Sequence, residues 1–188
     1  MDHAYRSSLL RRLTTIHDLY GEAVATMDLD QVNYVERAGV LPIAFSLVHQ
    51  VIIEDASRAF AGGPAALFDS TWSSRMGLAL STDGKAETVE VMTNQRIGDY
   101  LAFRDFQRQV FTLTESFIAE IDPDRFEDLI VRPPYPATIA STFSARLGGS
   151  VGITRSDAIE SWIVQHALRH LGEIEHARAL VGLGGMTS

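Results

Sequence analysis

The sequence predicts an all-α protein, a four-helix bundle whose long helices are joined by long, decorated crossover loops. Three observations carry this expectation. Four separate stretches space their apolar residues by three and four. No stretch alternates apolar and polar residues over the length of a strand, and no repeat longer than a helical turn is present. The 188 residues, 46% of them hydrophobic, hold enough apolar material for one core, so the chain is read as a single domain over 1–188.

The first stretch runs from about Ala4 to Met27, where Leu9, Leu13, Ile16, Tyr20, Ala23 and Met27 form one continuous stripe. Pro42 opens the second, because a proline's missing N–H has no intrahelical partner in a first turn. Phe45, Val48, His49, Ile52, Ala56 and Ala59 then make a stripe that stops before Gly62-Gly63-Pro64, and His49 lies within its apolar face. Residues 64 to 92 lack a sustained period and are expected to hold short helical pieces rather than strands.

Thr93 or Asn94 is expected to cap the third helix, in which Ile97, Tyr100, Phe103, Phe106, Val110, Leu113, Phe117 and Ile121 keep the helical step up to Asp122-Pro123. A loop with Pro133-Pro134-Tyr135-Pro136 follows, with a short helix expected near Thr138 to Leu147. Loops as long as 131–153 often act as covers, and this one is expected to cover a pocket. Thr154 with Asp157 caps the fourth helix, whose inward face reads Ile159, Trp162, Ile163, His166, His170, Glu173, Ile174 and Ala177 before Gly182-Leu183-Gly184-Gly185 ends it.

Composition excludes several functions. Without cysteine the chain forms no disulfide, has no thiol nucleophile and builds no thiolate zinc site, so any thiol chemistry needs a small-molecule thiol brought in as substrate. A net charge of −8 argues against a nucleic-acid partner, whose phosphates call for clustered Lys and Arg, and Arg11-Arg12 is no such cluster. Met1-Asp2-His3-Ala4-Tyr5-Arg6 lacks the apolar segment of a signal peptide, and no apolar run approaches a membrane span. A cytoplasmic location away from membranes is the resulting expectation.

The visible chemistry is the pair His166 and His170. With His166 at zero and about 100° per residue, His170 falls near +40°, Glu173 near −20°, Trp162 near −40° and Ala177 near +20°, all on the buried face. Two imidazoles four apart stack one turn above the other and can reach one metal ion from the same side. Six histidines in a chain of this size make such a spacing a weak motif by itself. His49 adds weight, because a lone imidazole on an apolar face leaves nitrogens needing partners, and three inward histidines on two helices satisfy one another through a shared cation. His3, His17 and His176 are read as solvated or boundary residues, Glu54 and Asp55 as inter-helix ion pairs or solvated groups, and Trp162 as core or a wall of the site. Nothing in the spacing supports substrate contact by Tyr34 or Arg58.

The segment His166-Ala167-Leu168-Arg169-His170-Leu171-Gly172-Glu173 resembles the His-x-x-x-His-x-Gly-Gln pattern in the last helix of the DinB-like (YfiT-like) bundle superfamily. Leu47-Val48-His49-Gln50-Val51-Ile52-Ile53-Glu54-Asp55 is similar to that family's second helix, where a single histidine is followed by acidic residues. The likeness spans most of the chain and implies that His49, His166 and His170 are metal ligands. The chain departs from the pattern at Glu173, where many members carry glutamine. That carboxylate is expected to orient a ligand imidazole or handle a proton, ahead of joining the metal in a two-histidine, one-carboxylate set with His49 outside it.

Three neutral imidazoles leave a divalent ion an open position, as in catalytic sites, and imidazole ligands favour zinc, nickel or iron over magnesium. The family resemblance implies a metal-dependent transferase or isomerase that uses a low-molecular-weight thiol on a small-molecule substrate. A metal-hydroxide hydrolase on the same ligands is the nearest alternative. The competing class is a non-catalytic bundle acting as a homodimer in a stress response, with Phe68, Trp72 and Met76 as its partner surface.

Overall fold

The computed structural model describes residues 3–186. Met1 and Asp2, the start of the N-terminal stretch read above, lie outside the described residues, as do Thr187 and Ser188. The described chain is mostly helical, with two short strands. Four long helices carry it: α1 (His3–Thr26), α2 (Ile43–Phe60), α3 (Tyr100–Glu120) and α4 over 155–180. Among them α1 packs on α3 and α4, and α2 packs on the same two. The stripes read from the sequence meet in one core, where Leu9, Leu13, Tyr20, Leu47, Val51, Phe103, Phe106, Val110, Ile118 and Ile174 are fully buried. No helix among the described residues is long and apolar enough to cross a membrane.

The capping box expected at α4 is present: the Thr154 side chain accepts from the Asp157 N–H, and the Asp157 carboxylate accepts from the Thr154 N–H at 3.0 Å. The helix that follows is not uniform. Arg155–Ala158 is α-helical, Ile159–Gln165 is a π-helix, and His166–Leu180 is α-helical again. The wider π turn rotates everything upstream of His166 away from its place on a regular wheel. Trp162 therefore leaves the face of the histidine pair: its indole N–H donates to Ser144 Oγ at 2.7 Å, and its ring meets Phe60 edge-on.

The third helix begins later than its apolar period suggests. Thr93 and Asn94 follow a short helix, Val89–Met92, and the chain from Gln95 to Gly98 is held outside any helix. There the Asn33 amide exchanges two hydrogen bonds with the Ile97 backbone, at 2.8 and 2.9 Å, so Ile97 enters the core from a loop. Asp99 is the true cap, accepting from the Ala102 N–H at 2.9 Å.

The 64–92 segment holds the expected short pieces, Ser70–Met76 and Val89–Met92, and Leu29–Val32 is a further one with its own capping box from Asp28 and Gln31. The short helix expected near Thr138 to Leu147 is Phe143–Gly148, capped by Thr142. Strands were not expected. Leu129–Val131 (β1) and Ile153–Thr154 (β2) pair antiparallel and close the base of the 131–153 excursion, too short for any alternation to be legible. That excursion packs over a small cluster of Val131, Ile153 and Ala158 with Trp162 at its edge. Of the residues read as a partner surface, Met76 is fully buried, whereas Phe68 and Trp72 are half-buried and pack on Phe106.

Candidate metal centre

Helices α2 and α4 each turn histidine side chains toward the other. His49 comes from the middle of α2, and His166 and His170 come from the first two turns of the α-helical part of α4. The buried Tyr20 hydroxyl of α1 donates to the Ala167 carbonyl at 2.8 Å and anchors α4 at this level. His166 Nε2 lies 3.2 Å from His49 Nε2 and 3.2 Å from His170 Nε2. One ligand atom from each of the three histidines falls within 4.8 Å of the others, and no other such group of His, Asp or Glu occurs among the described residues. Ligands at the usual zinc–nitrogen distance in a tetrahedron stand about 3.3 Å apart, close to the 3.2 Å between His166 Nε2 and each of the other two.

The outward nitrogens explain why the inward ones are free to bind. His49 Nδ1–H donates to the Asp83 carbonyl at 2.5 Å, and His170 Nδ1–H donates to Glu173 Oε2 at 2.7 Å. In a neutral imidazole one nitrogen donates and the other carries a lone pair, so both Nε2 atoms present lone pairs to His166. His166 has a single proton to offer, and its own Nδ1 is buried without a partner. A bonding scheme made of protons leaves this cluster short, whereas a cation among the three Nε2 atoms satisfies every lone pair. A ring whose far N–H is held by a carboxylate or a carbonyl is the usual support of a ligating histidine.

Electrostatics keep His166 and His49 neutral. Burial, together with neighbouring His170 and His49, pushes His166 down to about 3. Burial also lowers His49, against the opposing pull of the Asp83 carbonyl. Glu173 is half-exposed; burial would raise it, but hydrogen bonds from His170 and Ser46, with Arg169 nearby, hold it below its ordinary value as a carboxylate. Ser46 Oγ donates to the same Glu173 oxygen at 2.8 Å, tying the carboxylate to α2. His49, His166 and His170 lie close enough together to hold a metal ion, and three imidazoles are a donor set that a divalent ion fits.

The structure brings His49, His166, His170 and Glu173 together, with Glu173 on the outer nitrogen of His170 and away from the converging Nε2 atoms. His3 and His176 are exposed, as expected. His17 is a correction: it is 5% exposed, stacked on Phe111, with Nδ1 2.6 Å from Glu115 and Nε2 3.0 Å from Glu54. Glu54 and Asp55 are likewise buried, Glu54 in that inter-helix pair and Asp55 bonded to Arg58 and to the Leu67 and Phe68 N–H groups. Arg58 is fully buried, with the Pro64 carbonyl as a further acceptor, which leaves no side for a substrate. The cover over the histidines is also corrected: the 131–153 loop packs on Trp162, whereas Asp83 and Gly84 of the other excursion reach His49 and Phe45. Sequence reasoning missed Ser46 and the Asp83 carbonyl. Ser46 stands three residues before His49 on the same helix face, a signal that was available; a backbone carbonyl leaves none.

No family model matches the chain, and no curated protein matches it. Among solved structures, a conserved protein from Enterococcus faecalis has the same fold, with a TM-score of 0.74 at 16% identity over 97% of this chain and 99% of that one. At this identity the likeness speaks for the fold alone.

Proposed function

We propose that this chain is a DinB-like four-helix bundle that holds one divalent ion, zinc or nickel, on His49, His166 and His170, and acts as a transferase or isomerase on a small molecule with a low-molecular-weight thiol as co-substrate. The observation that carries the reading is the convergence of three Nε2 lone pairs whose outer nitrogens are already engaged or buried. Held by His49, His166 and His170, a divalent ion would supply Lewis-acid chemistry, lowering the pKa of a thiol brought to the site. The chain's own part follows from its residues. Asp83 and Glu173 fix the tautomers of His49 and His170. Glu173, ionised and half-exposed, is the group placed to hold a proton at its free oxygen. With no cysteine in the chain, the sulfur nucleophile must arrive from solution.

The test is turnover by zinc- or nickel-loaded protein with a panel of low-molecular-weight thiols and electrophilic acceptors. Consumption of acceptor is expected to require both the metal and the thiol. Turnover that proceeds equally without thiol contradicts the transferase reading and points to hydroxide delivery by the same ligands.

A further inference from the structure

Residues 77–98 leave the helical body and return to it as a closed loop. At its stem Gly77 and Gly98 meet backbone to backbone, so closely that a Cβ on Gly98 would stand 3.0 Å from the Gly77 carbonyl oxygen. The Met76 carbonyl accepts from both the Gly98 and Asp99 N–H groups, at 3.0 and 2.9 Å. Gln95, 1% exposed, bonds both backbone groups of Leu80 and ties the two legs together. At the tip sit Asp83, whose carbonyl holds His49 Nδ1, and Gly84.

Gly84 is buried, with φ of +77°, and lies against Phe45. A Cβ at this position would stand 2.6 Å from Phe45 Cε2, closer than real Cβ contacts come, and a tight 3.2 Å from Cζ. Phe45 in turn stacks on the His49 ring, with centroids 5.3 Å apart and planes 10° from parallel. The ligand ring is thus held by an aromatic face and a carbonyl oxygen. Both depend on the missing side chain at 84.

We propose that Gly84 is a positioning residue of the metal centre: by seating the 77–98 loop on Phe45 it aims the Asp83 carbonyl at His49 Nδ1, so that closure of the loop and binding of the metal are linked. The inference rests on the metal reading above. A ligand that needs the His49 Nε2 lone pair needs the proton on Nδ1, and the Asp83 carbonyl favours that tautomer. By reciprocity, whatever the seated loop adds to metal affinity, the metal adds to the seating of the loop.

The experiment titrates zinc into wild type, Gly84→Ala, Phe45→Leu/Gly84→Ala and His176→Ala in competition with a chromophoric chelator, and follows amide hydrogen exchange over 79–95 with and without zinc. Wild type is expected to bind zinc and to slow exchange in the loop when it does. Gly84→Ala is expected to bind about 10- to 100-fold more weakly, the range for loss of a ligand's outer partner, and to lose the zinc-dependent protection. The double variant recovers part of the affinity by restoring space, though not the part that the left-handed backbone denies to alanine. His176→Ala, an exposed change outside the loop, binds as wild type does. Gly84→Ala with wild-type zinc affinity overturns the proposal. Should that variant fail to fold, wild-type exchange over 79–95 decides alone: no change on adding zinc overturns it. A wild type that binds no zinc or nickel overturns the metal reading itself, a separate result.

Discussion

Alanine in place of His166 is expected to reduce metal affinity by about a thousandfold or more, beyond the 10- to 100-fold that follows loss of a ligand's outer partner. His166 is the middle member of the cluster, 3.2 Å from both other Nε2 atoms, so its loss leaves His49 and His170 with no shared neighbour. The same change should leave the metal-free protein as stable as wild type or more so. A buried Nδ1 with no partner is a cost to the empty fold, and alanine removes it. Chelator competition and thermal melting of the metal-free variant separate the two effects. His176→Ala, an exposed change on the same helix, is the control and should bind as wild type does. Equal loss in both variants would mean that the ligands lie elsewhere.

The second large effect concerns folding. Glu54 is 1% exposed and sits 3.0 Å from His17 Nε2, while Glu115, partly exposed, holds Nδ1 at 2.6 Å. Burial alone would lower His17; the charge of Glu54, then the hydrogen bond with Glu115, outweigh it and raise the ring to about 9. Glu54→Ala leaves a buried imidazolium with one carboxylate and takes the acceptor from Gln50 Nε2, so a loss of about 3–5 kcal/mol is expected. The sign with pH follows. The folded value lies above the unfolded one of about 6.5, so the stabilisation is complete below about pH 6.5 and is lost as pH rises through about 9. Urea unfolding at pH 6, 7.5 and 9.5 should show wild type weakening toward alkali and Glu54→Ala far flatter. Parallel curves would contradict the account of His17.

Much of this was legible in the residues because the relevant physics is local. The apolar steps from Leu9 to Met27, the glycines after Phe60 and the Thr154–Asp157 box depend on neighbours three or four positions away, and the helices lie where those patterns put them. The facing histidines were legible for the same reason, since His166 and His170 share a helix face and His49 interrupts an apolar one. What escaped depends on distant partners or on the backbone. His17 was placed at the boundary because Glu54 and Glu115, which make its burial tolerable, come from α2 and α3. Ile97 continued the helical period of α3 from a loop clamped by Asn33. Trp162 was placed by a wheel of 100° per residue that the π turn does not obey. The Asp83 carbonyl belongs to no residue type, and only the folded loop shows that Asp83-Gly84 is more than a turn.

The centre itself is tested most directly by equilibrium dialysis of protein purified without a metal-affinity tag, followed by elemental analysis. Three converging imidazoles predict one zinc or nickel ion per chain, retained at physiological metal concentrations and lost from the His166→Ala variant. A wild-type chain that stays empty under those conditions would contradict the assignment of His49, His166 and His170 as a metal centre.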